Sequence, residues 1–184
     1  MKDSAELQRL YEVADDFSKR LVSCNGCTKC CESGIVYVLP EEKSRLESLG
    51  AQLINIDGVD YIKRENGVCS MLDRQHSRCS IEFYKNRPLC CRLFPLDVFN
   101  RDYQTKWGVY NYCPSEKLNP ILLTGSEPRI NLFILSIMIS RLEKNIPKRV
   151  LNFLANEDKV TAEIELLDKH NDDFLLLDRV AGIY

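Results

Sequence analysis

Apolar side chains at Leu7, Leu10, Tyr11, Ala14, Phe17 and Leu21 recur every three or four residues, with charges between them. That period puts them on one face and predicts an amphipathic helix over residues 4–22, N-capped by Ser4. Such a face packs on its own domain far more often than on a partner. The period then changes. Ile35-Val36-Tyr37-Val38-Leu39 is an apolar run of strand length. Pro40-Glu41-Glu42 predicts the opening of a second helix, running to about Leu49 and closed by Gly50. Acidic residues in its first turn suit the helix dipole. Leu53-Ile54-Asn55-Ile56 and Val59-Asp60-Tyr61-Ile62 flank Asp57-Gly58, a dipeptide that joins hairpins.

Beyond Cys69 the pattern breaks into short strands and irregular loops, as far as Cys113. Val98-Phe99 and Trp107-Gly108-Val109-Tyr110 read as strands joined by a polar turn at residues 100–102. Ser126-Glu127-Pro128 predicts a helix start, with Pro at an early position, and the helix should run to Asn145, before Pro147. Its apolar residues, among them Ile130, Phe133, Ile137 and Leu142, occupy more than one face. It is expected to be buried on several sides or to cover a second subunit, as in a homodimer. A further helix is predicted over residues 147–155. Residues 160–167 fit helix or strand, and residues 172–181 fit a short helix or a tail strand. The expected fold is α+β: a small cysteine-rich metal-binding domain of short strands and loops, with an N-terminal helix and C-terminal helices packed on it. The 184 residues are read as one domain, with a cysteine region at 24–114 and a helical C-terminal extension at 126–184.

Composition narrows the class. At 45% hydrophobic residues the chain can bury a core without disulfide staples. Nine cysteines is an odd number, so they cannot all pair. Residues 1–21 are charged and carry no apolar signal region, and the longest apolar stretch, residues 130–139, is too short to span a bilayer. No membrane association is expected, and a reducing cytoplasm is the expected location. Twenty-five basic residues against 27 acidic give a net charge of −2, without the basic surplus of a nucleic-acid binder. There is no Gly-x-Gly-x-x-Gly and no P-loop.

The cysteines supply the chemistry. Cys24, Cys27, Cys30 and Cys31 lie in one run, Cys-x2-Cys-x2-Cys-Cys, and Cys69, Cys79, Cys90, Cys91 and Cys113 follow. Thiols this dense are poor packing material. They suit a soft metal ion or an iron–sulfur cluster, which needs several thiolates converging on one point. Cys24, Cys27 and Cys30 have ferredoxin-like spacing, and the one Cys-Pro pair is Cys113-Pro114. Adjacent cysteines such as Cys30 and Cys31 point in different directions in extended chain. Arg87 and Arg92 flank Cys90 and Cys91; guanidinium groups there can offset the charge of a thiolate site or pair with ordinary carboxylates. His76 and His170 read as solvated side chains. The aromatic group Tyr103, Trp107, Tyr110 and Tyr112 reads first as strand packing.

These residues resemble the zinc- or iron-chelating CxxCxxCC cysteine-cluster family, whose domain the flagellin lysine N-methylases share. The resemblance rests on Cys24, Cys27, Cys30 and Cys31, then Cys69 with Leu72, Cys79 with Ile81, Arg87-Pro88, Cys91-Arg92 with Phe94-Pro95, and Cys113-Pro114. It covers roughly residues 24–114. The chain departs from the family pattern at Thr28, where Gly is common, in a longer gap from Cys79 to Arg87, and in the extra Cys90. The resemblance implies metal ligation by Cys24, Cys27, Cys30, Cys31, Cys69, Cys79, Cys91 and Cys113. These eight thiols can furnish two four-coordinate sites, or one cluster with spare cysteines. The expected cofactor is an iron–sulfur cluster of the 4Fe–4S type, with zinc as the alternative.

Three functions compete. The first is a cluster-binding protein with a redox, metal-handling or structural role toward a partner protein; a zinc-stabilised interaction module is its variant. The second is a protein-lysine N-methyltransferase, implied by the flagellin methylases and tested by binding of S-adenosylmethionine. The third is a thiol redox protein using Cys27 and Cys30 or a vicinal pair, although a catalytic Cys-x2-Cys normally opens a helix. No catalytic residue is visible in the sequence.

Overall fold

A computed structural model describes residues 2–21, 28–33, 35–81, 86–101, 104–110, 123–124, 129–130, 132–154 and 174–176. The first helix, α1 (Lys2–Leu21), buries the predicted stripe: Leu7, Leu10, Tyr11, Ala14 and Phe17 all face the interior. A short α2 (Lys29–Ser33) carries two cysteines and leads to β1 (Tyr37–Val38). The second predicted helix starts later than its acidic residues suggested. Residues 40–42 form a turn, and α3 spans Lys43–Ser48. Gly50, at φ +86°, ends it as expected.

The Asp57-Gly58 hairpin forms as predicted. β2 (Leu53–Ile56) and β3 (Val59–Ile62) pair antiparallel, with both turn residues at positive φ. β1 pairs with the other edge of β3, giving the order β1-β3-β2. Two small hairpins follow, β4 (Arg64–Glu65) with β5 (Val68–Cys69), and β6 (Leu72–Asp73) with β7 (Arg78–Cys79). Then comes a five-residue helix, α4 (Leu89–Leu93), where the sequence pattern showed only loops and short strands. β8 (Leu96–Arg101) and β9 (Gln104–Tyr110) form the expected pair of strands, longer than read from the pattern.

In the C-terminal part, Arg129 and Ile130 are strand rather than helix. They form β11 (Arg129–Ile130), paired with β10 (Leu123–Thr124). Ladder pairing there overrides the helical pattern, and α5 begins at Leu132 and ends at Glu143. The next helix, α6 (Lys148–Leu154), matches expectation. The tail forms a strand, β12 (Phe174–Leu176), which joins the open edge of β9. Residues 126–128 and 160–167 lie outside the described residues. The architecture is α+β, with an N-terminal helix, small antiparallel sheets and C-terminal helices.

Two clusters of buried side chains result, and alternation along one strand separates them. Tyr37 and Leu39 enter a large core with α1, α5 and α6; Val36 and Val38 enter a smaller one with Leu46, Ile62, Cys69, Met71 and Ile81. Period-two geometry requires this split. On β3 likewise, Val59 and Tyr61 face the large core and Ile62 the small one.

Candidate metal centre

The thiols reach the small core from four elements. Cys30 and Cys31 come from α2, which starts as Cys31 N–H and Glu32 N–H both donate to the Thr28 carbonyl at 2.9 Å. The Thr28 hydroxyl and Lys29 ammonium donate to Glu32, and both hold its carboxyl below the usual range. At the other end of α2, Arg64 donates to the Glu32 carbonyl at 2.6 Å and to the Gly67 carbonyl, tying α2 to the β4–β5 hairpin. Cys69 sits on β5, paired across the ladder with Arg64. Cys79 sits on β7 opposite Leu72. The short hairpins thus bring separate cysteines to one place.

Helix α4 brings Cys90 and Cys91. Its Leu89, Arg92 and Leu93 are buried on one face, and Leu89 and Leu93 join the large core. Cys91 lies off that face and packs against the small core, and Cys90 packs against both cores. The helix therefore has an aliphatic side and a thiol side. It is held at its C-terminal end by Arg92, which is 2% exposed. Arg92 donates through Nε to the Arg87 carbonyl at 2.8 Å, pairs with Asp15 of α1, and lies 4.5 Å over the Tyr11 ring. Of the two arginines flanking Cys90 and Cys91, Arg92 takes an ordinary carboxylate, while the positive charge of Arg87 acts on Cys30.

All six of these cysteines, Cys30, Cys31, Cys69, Cys79, Cys90 and Cys91, line one cavity of about 30 Å³. The remaining walls are apolar, from side chains such as Val36, Ile62, Met71 and Phe94. Cys30 and Cys31 sulfurs stand 4.0 Å apart. Cys31 also hydrogen-bonds Cys79, and Cys91 hydrogen-bonds Cys90. Cys90 donates to the Ile35 carbonyl at 3.4 Å. None of the six is joined in a disulfide. Among the described residues, no group of three or more Cys, His, Asp or Glu side chains is already arranged to hold a metal ion.

The thiols differ in acidity. The hydrogen bond from Cys31, then the charge of Arg87, lowers Cys30. Cys31 is raised by its hydrogen bonds to Cys30 and Cys79 and by burial. Burial, then the neighbouring Cys91, pushes Cys69 up to about 12. Cys91 is raised by its bond with Cys90 and by burial. Without metal, one thiol in the cluster is biased to ionise and three are held protonated. A metal ion reverses this by displacing the protons, since only thiolates are good ligands.

Five of the eight sequence-predicted ligands are thus brought together: Cys30, Cys31, Cys69, Cys79 and Cys91. Cys24, Cys27 and Cys113 lie outside the described residues. Cys90, set aside as extra to the family pattern, lines the same cavity. His76 is exposed on the turn between β6 and β7, bonded to Asp73 at 2.7 Å, and does not line the cavity. Sequence reasoning missed a different residue, Glu42, whose carboxylate accepts from the Leu89 N–H at the start of the cysteine helix. A signal existed. Arg87-Pro88-Leu89 offers a short helix no side-chain acceptor of its own, so one must come from elsewhere.

No curated protein and no solved structure matches the chain. A family model does match residues 23–114, half of the chain and the stretch that holds every cysteine from Cys24 to Cys113. On that match, and with the thiols converging on one cavity, the chain belongs to the CxxCxxCC family, described as a putative zinc- or iron-chelating domain.

Proposed function

We propose that the protein holds an iron–sulfur cluster, of the 4Fe–4S type, and serves a redox, metal-handling or structural role toward a partner protein in a reducing cytoplasm. One observation carries this reading: six thiols from four elements line a single cavity whose other walls are apolar. A tetrahedral zinc site uses four ligands at most, and a structural one often includes histidine. An all-sulfur set without histidine suits a cluster, which takes four thiolates and leaves the others to spare, and one shared cavity suits one centre better than two separate sites. The donors fit the group chemically. Cys30, Cys31, Cys69, Cys79 and Cys91 are the ligand candidates within the described residues, joined by Cys24, Cys27 and Cys113.

When bound, a cluster of this kind supplies one-electron transfer. The chain's own residues do the rest. Val36, Ile62, Met71 and Phe94 give the sulfurs an apolar surround, and such a surround shifts cluster potentials. Arg87 places positive charge beside Cys30, which favours its thiolate. Cys90 donates to the Ile35 carbonyl and is the thiol left over from the ligand set.

The zinc reading is favoured by the size of the cavity. About 30 Å³ holds roughly two water-sized bodies at 10–15 Å³ each, enough for one ion. A cluster requires the walls to part. Metal and acid-labile sulfide content, with a visible spectrum, on protein purified without oxygen decides between them. Iron with sulfide and a brown absorbance supports the cluster. Stoichiometric zinc and a colourless solution overturn it and leave a structural module.

A further inference from the structure

Glu42 is a carboxylate with 0% of its surface exposed, while the other acidic residues whose side chains are described keep at least part of theirs in solvent. It occupies the N-cap position of α3, yet its side chain makes no capping bond to that helix. Its oxygens are directed elsewhere. Oε1 accepts from the Leu89 N–H at 2.8 Å and from the Tyr11 hydroxyl at 2.7 Å; Oε2 accepts from the Leu39 N–H at 3.1 Å. Arg45 stands 3.6 Å away and offsets the buried charge. The carboxylate thus joins α1, the turn after β1, and the first residue of α4.

The helix it reaches needs that support. α4 has five residues, too few to hold a helical turn alone. Its N-cap is Pro88, which has no side-chain oxygen and makes no capping bond. A first-turn N–H left bare and buried is costly, and a carboxyl oxygen supplies the missing acceptor. Leu89 is adjacent to Cys90 in the chain, so fixing its N–H fixes where the next two thiols point. Arg92 pins the other end.

We propose that Glu42 is a positioning residue for the metal centre: it caps the cysteine helix from 47 residues upstream and sets Cys90 and Cys91 toward the cavity. This rests on the reading that Cys91 is a ligand. Outer-shell groups that orient ligands typically change metal affinity 10- to 100-fold when removed.

The test uses the full chain, prepared without oxygen and loaded with Co²⁺, whose thiolate bands report the ligand geometry. Glu42→Leu removes every acceptor; Glu42→Gln keeps one oxygen and decides the matter if the leucine variant does not fold. Val150→Ala, in the large core on α6, supplies a variant of lowered stability with the cap intact. In the folded Glu42 variant, Co²⁺ should leave for a chelator at least about tenfold faster than from wild type for Glu42→Leu, and severalfold faster for Glu42→Gln. In the metal-free protein, Cys90 and Cys91 should alkylate faster, with Cys30 and Cys69 unchanged. Val150→Ala should show neither effect at a temperature where it is folded. Wild-type alkylation of Cys90 and Cys91 in the folded Glu42 variant overturns the proposal, as does the same acceleration in Val150→Ala. Full Co²⁺ occupancy in Cys91→Ala instead sinks the ligand reading, and the alkylation pattern still reports on the cap.

Discussion

The two cores differ in what can hold them together. The large one gathers aliphatic and aromatic side chains from α1, β1, β3, α4, β8, β9, α5 and α6, including Leu10, Leu93, Val98, Leu142 and Leu154 at 0% exposure. Burial of that kind stabilises a fold without help, at about 25 cal/mol per Å². The small core takes its thiols from two-residue strands and five-residue helices, with Cys69, Cys79, Cys90 and Cys91 where larger side chains would otherwise fill space. A thiol offers little apolar area, and hairpins of that length are marginal in water. The comparison sets a core that packing alone can hold against a smaller one whose rigidity ligation would supply. Metal-linked folding of this kind is general in small thiolate sites.

That contrast can be broken in four ways. The largest effect is expected from Leu10→Ala, which opens a cavity in the scaffold and should cost about 2–5 kcal/mol with or without metal. Denaturant unfolding of both forms measures it, and a loss confined to the metal-free form would erase the distinction. Second, raising pH should destabilise the metal-free protein. Cys69 is raised from an ordinary value near 9 to about 12, so between those limits the unfolded chain ionises while the folded chain keeps its proton. Its contribution is complete below pH 9 and lost on the way to 12, a few kcal/mol read by unfolding at pH 8 and pH 10.5. Loading metal should flatten this dependence, because the thiols are already deprotonated.

Third, Cys27→Ala and Cys91→Ala should each lower metal content and loosen the small core, whereas Cys90→Ala should retain metal. Metal analysis checks the first part. Amide exchange checks the second, with protection lost over residues 64–81 and kept in α1 and α6. Unchanged metal content in both ligand variants would remove the site. The smallest effect is expected at the β2–β3 turn, where Gly58 sits at φ +83° with open space around it. Gly58→Ala should cost about 1 kcal/mol from backbone strain, with metal content untouched. A thermal melt and a metal assay on one preparation settle it.

What could be read from the sequence follows the same divide. The stripe on α1, the Asp57-Gly58 hairpin and the Pro147 helix depend on local period and local turn chemistry, and all three are as expected. Residues 89–93 are too short to display a period, so α4 stayed hidden behind Arg87-Pro88. Ile130 carries a helical pattern, and its pairing with Leu123 decides otherwise. The cysteines announced metal chemistry by type and density. Which ones share a cavity depends on hairpins that place Cys69 and Cys79 beside Cys30, a long-range outcome that spacing alone does not contain. Glu42 was read as a dipole partner for α3; its inward turn comes from donors on Tyr11, Leu39 and Leu89, two of them far away in the chain.

Residues 36–39 serve as a party wall, with one tenant on each side. Tyr37 and Leu39 belong to the scaffold, Val36 and Val38 to the thiol side, and a shift of one residue would hand each set to the wrong neighbour. Insertions and deletions should therefore be rare in this segment among descendants of the chain, even though no cysteine lies within it. Lineages that abandoned the metal would still inherit the constraint, because the scaffold alone enforces the register. The turn between β6 and β7, with exposed Gln75 and His76 at its tip, carries no such double duty and is where lineages should differ in length.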